Sequence, residues 1–243
     1  GVAIPEEGAA LREAGIIKPI SVLGGIFADQ ATDIVEFSLT PVVFDMTVAR
    51  ALDRAAKNRR ITLNIHVKVD TGMGRLGIQP HDAASFFSEL KGLENLRVEA
   101  LLSHFAESEA DDKEFSMSQL SAFRKTVEEI KRTGTTPGAL EMANSAALVD
   151  LEPSRLDMAR PGIMLYGSYP AERLRAEVLL KPVMTLKTRI LHLKEVPAGF
   201  TVSYSRRFTA KTPTACQGAS ATREKRSWAE CARRMPARSA WTS

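Results

Sequence analysis

Cysteine is nearly absent from this chain: 243 residues contain two, Cys216 and Cys231, and both lie beyond residue 210. Disulfides therefore do not hold the main part of the chain together, which suits a reducing cytoplasm. Long apolar runs are missing as well. None approaches the ~18 residues that a membrane span requires, and the opening Gly1-Val2-Ala3-Ile4-Pro5-Glu6-Glu7 has neither the basic flank nor the apolar core of a secretory leader. No membrane partner and no metal are expected. No Gly-x-Gly-x-x-Gly follows a strand-like run, so a dinucleotide-binding sheet lacks its usual mark. The formal charge of +4 is not spread over the chain. Residues 211–243 carry seven Lys/Arg against two Glu, which leaves the rest close to neutral. Nucleic-acid binding needs basic residues across a face, and none is expected here.

The remaining composition, 44% hydrophobic and 26% charged, is that of a globular protein. Short apolar runs alternate with amphipathic stretches up to about residue 165. Ile20–Leu23, Thr40–Val43, Ile61–Lys68 and Val98–Leu102 read as strands, with Ala139–Met142 and Leu156–Ala159 as weaker candidates. Between them, a helix capped by Thr47 runs to Lys57, another begins at Asp82, and a third covers Phe115–Arg132. Strand-then-helix alternation repeated this often predicts an α/β fold with a parallel sheet, closed as a barrel rather than left open. After Pro182 the period shortens to two: Met184, Leu186, Thr188 and Ile190 alternate with polar residues. Pro197-Ala198-Gly199 makes a turn before Thr201-Val202-Ser203-Tyr204. The expected division is a partial barrel over 1–178, the start of a β domain over 179–210, and a tail over 211–243. The tail has no Leu, Ile, Val or Phe. It is expected to be disordered, or to be the product of an out-of-frame continuation.

Four segments carry chemistry. Lys68-Val69-Asp70-Thr71-Gly72-Met73-Gly74-Arg75-Leu76-Gly77 follows a strand, at the end where barrel enzymes assemble their sites. Its glycines permit tight turning, and Arg75 offers a rigid fork to a carboxylate or phenolate. From spacing alone, a Gly-rich loop with a surface arginine fits as well. Ser103-His104-Phe105-Ala106 sets an imidazole at a strand end, able to stack on a flat ring or bond an oxygen. Ala143-Asn144-Ser145-Ala146-Ala147 places small residues at a strand-to-helix junction, where backbone N–H groups attract phosphate, or where Asn-Ser is simply a helix cap. Arg160-Pro161-Gly162-Ile163-Met164-Leu165-Tyr166-Gly167 adds an arginine and a further flexible turn.

Taken together and in this order, these segments resemble alanine racemases, the pyridoxal 5′-phosphate (PLP) isomerases of bacterial type, over about residues 1–208. The resemblance implies an incomplete (β/α)8 barrel followed by the first strands of a β domain, acting on L- and D-alanine. It implies that Arg75 meets the substrate carboxylate and the cofactor phenolate, and that Lys68 is a carbamylated lysine. His104 packs on the pyridine ring. Asn144, Ser145, Gly162 and Ile163 hold the phosphate, and Arg160 faces the pyridine nitrogen. The family usually has His where this chain has Glu141. Family members are homodimers in which the partner completes the site.

Two family residues have no counterpart. The lysine that forms the Schiff base lies in a first-strand motif that Gly1-Val2-Ala3 resembles a point beyond. The opposing tyrosine lies in a motif soon after Tyr204, where the tail stands instead. The chain therefore reads as truncated at both ends, with no catalytic residue of its own and no expected racemase activity. Other readings are a broad-specificity racemase, a decarboxylase of the same barrel type (disfavoured by Arg160, since such enzymes place an acid at the pyridine nitrogen), and a non-catalytic PLP-binding barrel.

Overall fold

The computed structural model describes residues 1–185, 192–195, 197, 199–202, 207–208 and 214–217. It divides into two compact units, 1–181 and 182–243. In the first, helices and strands alternate: α1 (Pro5–Glu13), β1 (Ser21–Val22), α2 (Ala31–Glu36), β2 (Thr40–Val43), α3 (Met46–Arg59), β3 (Leu63–Lys68), α4 (Ala83–Leu90), β4 (Leu96–Leu102), α5 (Glu114–Arg132), β5 (Ala139–Glu141) and α6 (Ser145–Asp150). The five strands are parallel and lie in the order β1-β2-β3-β4-β5. Right-handed crossovers whose strand order never reverses put every helix on one face and roll the other face inward. This is the α/β barrel wall that the alternation predicts.

The strands form where apolar residues alternate. Leu63, Ile65 and Val67 of β3 and Leu101 of β4 pack outward against Leu52, Phe87, Leu120, Phe123 and Ile130 from the helices, all in one buried cluster. The opposite faces carry Asn64, His66 and Lys68 on β3, Ala100 and Leu102 on β4, and Glu141 on β5. Register aligns Lys68 with Leu102, and Leu102 with Glu141. The β3–β4 pairing slips once. Ile65 pairs with Val98 but His66 with Ala100, so Glu99 is an extra residue. Such a bulge lets one strand turn adjacent residues to the same side. Glu99 accordingly accepts from Asn64 Nδ2 at 3.1 Å and faces His66 Nε2 at 3.4 Å.

Several local expectations change. Asp45, not Thr47, caps α3: its carboxylate accepts from the N–H of Thr47 at 2.6 Å and of Val48 at 3.2 Å. Two candidate caps two residues apart look alike in sequence, and backbone geometry chooses between them. Asp82 precedes α4, but its side chain makes no capping bond. Leu156–Ala159 is no strand. Only Met158 bridges to Glu141, with Asp157 and Met158 N–H both donating to the Leu140 carbonyl. Val2 likewise bridges to Val22 on the far edge. Each edge thus carries a rudiment of a further stave rather than a bare row of unpaired groups. Helices α1 and α2, which the sequence does not announce, close the β1 and β2 units.

The second unit contains two antiparallel pairs: β6 (His192–Glu195) with β9 (Thr214–Gln217), and β7 (Thr201–Val202) with β8 (Arg207–Phe208). At the expected turn, Phe200 N–H donates to Pro197 O at 3.1 Å and Gly199 has φ of 79°. Leu186, Thr188, Ile190, Ser203 and Tyr204 lie outside the described residues. Strand β9 falls inside the stretch the sequence sets apart as a tail. Among the described residues, no helix is long and apolar enough to cross a membrane.

Phe123, fully buried on α5 between helix and sheet, gives the direct test of this packing. Phe123→Ala is expected to lower unfolding free energy by about 3–5 kcal/mol, read as a shift in the urea midpoint. A loss under ~1 kcal/mol would mean that α5 does not pack as described.

Candidate active site

The carboxyl ends of β3, β4 and β5 gather the chemistry. Just after β3, the loop 70–77 is pinned at its base by two backbone bonds, Asp70 N–H to Ile78 O and Ile78 N–H to Lys68 O, each 2.9 Å. Inside it the Asp70 carboxylate collects four backbone N–H groups. Gly72, Met73 and Gly74 donate to Oδ1 at 3.0, 2.9 and 3.1 Å, and Arg75 donates to Oδ2 at 3.2 Å. Burial alone would raise the Asp70 pKa, but these donors outweigh it and hold the carboxyl below its ordinary value. Two glycines make the wrap possible. Gly74 has φ of 67°, and at Gly77 (φ 130°) a Cβ would meet Asp70 N at 2.6 Å. The loop carries Arg75 out on the rim, with its side chain exposed.

Lys68 ends β3 on the inward face and is buried. Burial first, then the charges of Arg75 and Arg160, pull its pKa down to about 8, against a smaller upward pull from Asp70. His104, after β4, is pulled down to about 4 by burial and then by Arg160, Lys68 and Arg75. It is a neutral imidazole at physiological pH. Lys68 and His104 thus both lie within the fields of Arg75 and Arg160, at the carboxyl end of the sheet.

Arg160 is fixed from behind. Its backbone N–H donates to Ala143 O at 2.8 Å, Nη1 pairs with Glu141 Oε2 at 2.7 Å, and Nη2 donates to Ser103 O. Two of its five N–H groups are used this way, and the rest remain for a ligand. Asn144 and Ser145 stand at the start of α6. Asn144 Oδ1 accepts from Ala147 N–H at 3.1 Å and from the Ser108 hydroxyl at 2.7 Å. Ser145 Oγ accepts from Gly162 N–H at 3.0 Å and Met164 N–H at 3.4 Å, leaving its own proton to donate. Asn144 is thus a cap, as its residue type allows, while Ser145 points into a knot of backbone donors. A cleft of about 310 Å³ is lined by His104, Asn144, Ser145, Arg160, Gly162 and Ile163. Arg75 and Lys68 are not among the residues that line this cleft.

Sequence reasoning passes over the polar row beneath it. Arg97 Nε donates to Asn64 Oδ1 at 2.8 Å, and Asn64 reaches Glu99. Glu99 faces His66, whose Nδ1 lies 3.8 Å from Glu141 Oε1, and Glu141 holds Arg160. The signal was present: Asn64, His66 and Lys68 are the polar phase of β3. A strand pattern marks two faces without saying which one a barrel encloses.

Asp70→Ala leaves four N–H groups without their acceptor. It is expected to cost about 1–3 kcal/mol and to open residues 71–77 to limited proteolysis. The folded pKa is depressed, so this stabilisation is complete above the unfolded carboxyl value and is lost as pH falls through the folded one. The wild type and the variant should therefore converge in stability only in strong acid. Equal stabilities at neutral pH would refute the anchoring role.

The family model described as "Alanine racemase, N-terminal domain" matches residues 1–170, and "Alanine racemase, C-terminal domain" matches residues 183–218. The second match runs past residue 208, the expected end of the resemblance. The alanine racemase of Halothermothrix orenii is 41% identical over 203 residues, covering 84% of this chain and 54% of the relative. That of Desulfovibrio desulfuricans is 43% identical over 204 residues, covering 84% and 55%. The solved alanine racemase of Clostridium difficile 630 superposes with a TM-score of 0.74 at 32% identity, over 88% of this chain and 56% of that one. The chain spans about half the length of the curated relatives it matches.

Proposed function

The chain belongs to the alanine racemase family, and from that membership we infer that its first unit forms the cofactor-holding wall of a PLP-dependent site interconverting L- and D-alanine. One observation carries this reading: three motifs far apart in sequence, around His104, Asn144-Ser145 and Arg160-Gly162-Ile163, line a single cleft whose donors suit a flat phosphorylated ring, and the charges of Lys68 and Arg75 from the fourth act on His104. The Ser145 hydroxyl and the Ile163 N–H would receive the phosphate, joined by the Gly162 N–H, which donates to Ser145 Oγ until a phosphate takes its place. Backbone donors and a short hydroxyl are what a phosphate dianion needs. Asn144 braces that corner. Neutral His104 offers a flat, uncharged face to the ring, and Arg160 donates a hydrogen bond to its nitrogen. An arginine there stays charged and gives up no proton at neutral pH. Arg75, on the rim, receives the substrate carboxylate as a paired fork.

When bound, the pyridine ring supplies electron withdrawal from the substrate Cα. The residues described here bind and orient. Removal and return of the Cα proton, the part of the family's lysine and tyrosine, are assigned to none of the described residues. The family's homodimer, in which a partner subunit completes the site, is the assembly this reading carries.

Lys68 has a distinct role. A free amine surrounded by Arg75 and Arg160 adds a third positive charge to a buried corner. Loss of one proton from the ammonium, then reaction of the amine with carbon dioxide and loss of a second proton, gives a carbamate; the charge turns negative and lets Lys68 orient Arg75. Because the amine titrates near 8, the uncharged form that attacks carbon dioxide grows as pH rises through that value. Native mass spectrometry in bicarbonate buffer should show the added mass of one carbon dioxide, more at pH 9 than at pH 6, and none in Lys68→Met. Its absence from the wild type would end this assignment.

The test of the whole reading is PLP binding by residues 1–243, followed through the phosphorus resonance and ring absorbance. Binding without racemisation is expected from this polypeptide. Ser145→Ala should weaken binding about tenfold or more, the cost of one charge-assisted hydrogen bond. No binding by the wild type, or racemisation of alanine by it, would overturn the reading.

A further inference from the structure

Glu141 is the most buried carboxylate among the described residues, at 1% exposure. An anion taken out of water is unfavourable unless a cation sits against it. Here Oε2 is 2.7 Å from Arg160 Nη1, while Oε1 has no hydrogen-bond partner and lies 3.8 Å from the equally unpartnered Nδ1 of His66. Arg160 is half of an ion pair whose other half stands on its far side from the cleft, inside the sheet. Whatever accepts from Arg160 at the cleft meets a guanidinium already balanced from behind.

We propose that Glu141 is a positioning residue that sets the proton affinity of the pyridine nitrogen of PLP held in this cleft, acting through Arg160. The proposal rests on the cofactor assignment made above. A guanidinium alone, hydrogen-bonded to the ring nitrogen, resists a second positive charge there, because like charges at contact distance disfavour the protonated form. A carboxylate 2.7 Å behind that guanidinium cancels much of this resistance. Both members are shielded from water, so little screening intervenes. The ring nitrogen therefore holds its proton to higher pH than it would opposite an unbalanced arginine, and withdraws electrons more strongly. Across this wall, reaction specificity becomes a matter of how completely one buried carboxylate neutralises one arginine. The other charges around the nitrogen are Lys68 on β3 and Arg75 on the loop 70–77, with His104 after β4 neutral. Behind Glu141 stand His66 and Glu99. Of these, His66 alone faces the replaced carboxylate directly, at 3.8 Å from Oε1.

Glu141→Gln keeps the shape and an acceptor for Arg160 while deleting the charge. The measurement is a pH titration of the ring nitrogen by ¹⁵N resonance, using ¹⁵N-labelled PLP bound to the full 243-residue chain, with the phosphorus resonance reporting occupancy. The midpoint is expected to fall by about one pH unit or more in the variant, a tenfold loss of protonated ring at fixed pH. Glu141→His, with a neutral imidazole above its own titration, is expected to lower the midpoint in the same direction and serves if the glutamine variant does not fold. Bound cofactor with the same midpoint in wild type and variant overturns this inference alone. No bound cofactor in the wild type overturns both it and the cofactor assignment.

Discussion

A buried arginine must be answered by a buried anion, and the cleft at the top of this sheet is arranged around that requirement. Arg160 crosses from the segment after α6 to the inner face of β5, where Glu141 receives it at 2.7 Å. The same guanidinium also ties to the Ser103 carbonyl, so the pair joins the ends of β4 and β5 as well as neutralising charge. Removing one member leaves the other stranded in a low-dielectric environment, which typically costs about 3–5 kcal/mol. Arg75 adds positive charge to the same corner, as does Lys68 until it is carbamylated, with Asp70 pulling the other way on Lys68. The unmodified corner is cationic, an attraction for anionic groups.

Strand order does the rest of the positioning. Since β1 to β5 follow one another without reversal, each strand delivers its last residue to the same rim, and each following loop begins there. Lys68, His104 and Asn144 are consecutive contributions of this kind, from the ends of β3, β4 and β5. Residues some seventy positions apart in the chain become neighbours with no long connection, because the sheet collects them in sequence.

Much of this was legible before any coordinates. β3, β4 and α5 announce themselves because their apolar periods are strong. The four site motifs announce themselves because chemically capable residues sit where apolar runs stop. What stayed hidden has physical reasons. Helix α1 is short and weakly amphipathic, burying only Pro5 and Gly8, and α2 has just six residues, too few for a helical period to stand out. Leu156–Ala159 has the composition of a strand but finds only one bridging partner, at Met158. His66 and Glu99 read as solvent-facing polar positions, since alternation cannot reveal that the second face of a curved sheet is enclosed. The Glu141–Arg160 pair spans two elements, and no local pattern encodes a contact between them.

The slipped pairing at Ile65 and His66 separates this wall into two storeys. Below the slip, Arg97 and Asn64 follow one register; above it, Ala100, Leu102, Lys68 and Glu141 follow another. A residue gained or lost near the strands' entry is absorbed at that joint before it reaches the upper rows. The rim where ligands are held is thereby insulated from drift at the base, and the lower storey is free to vary in composition while the upper one keeps its alignment.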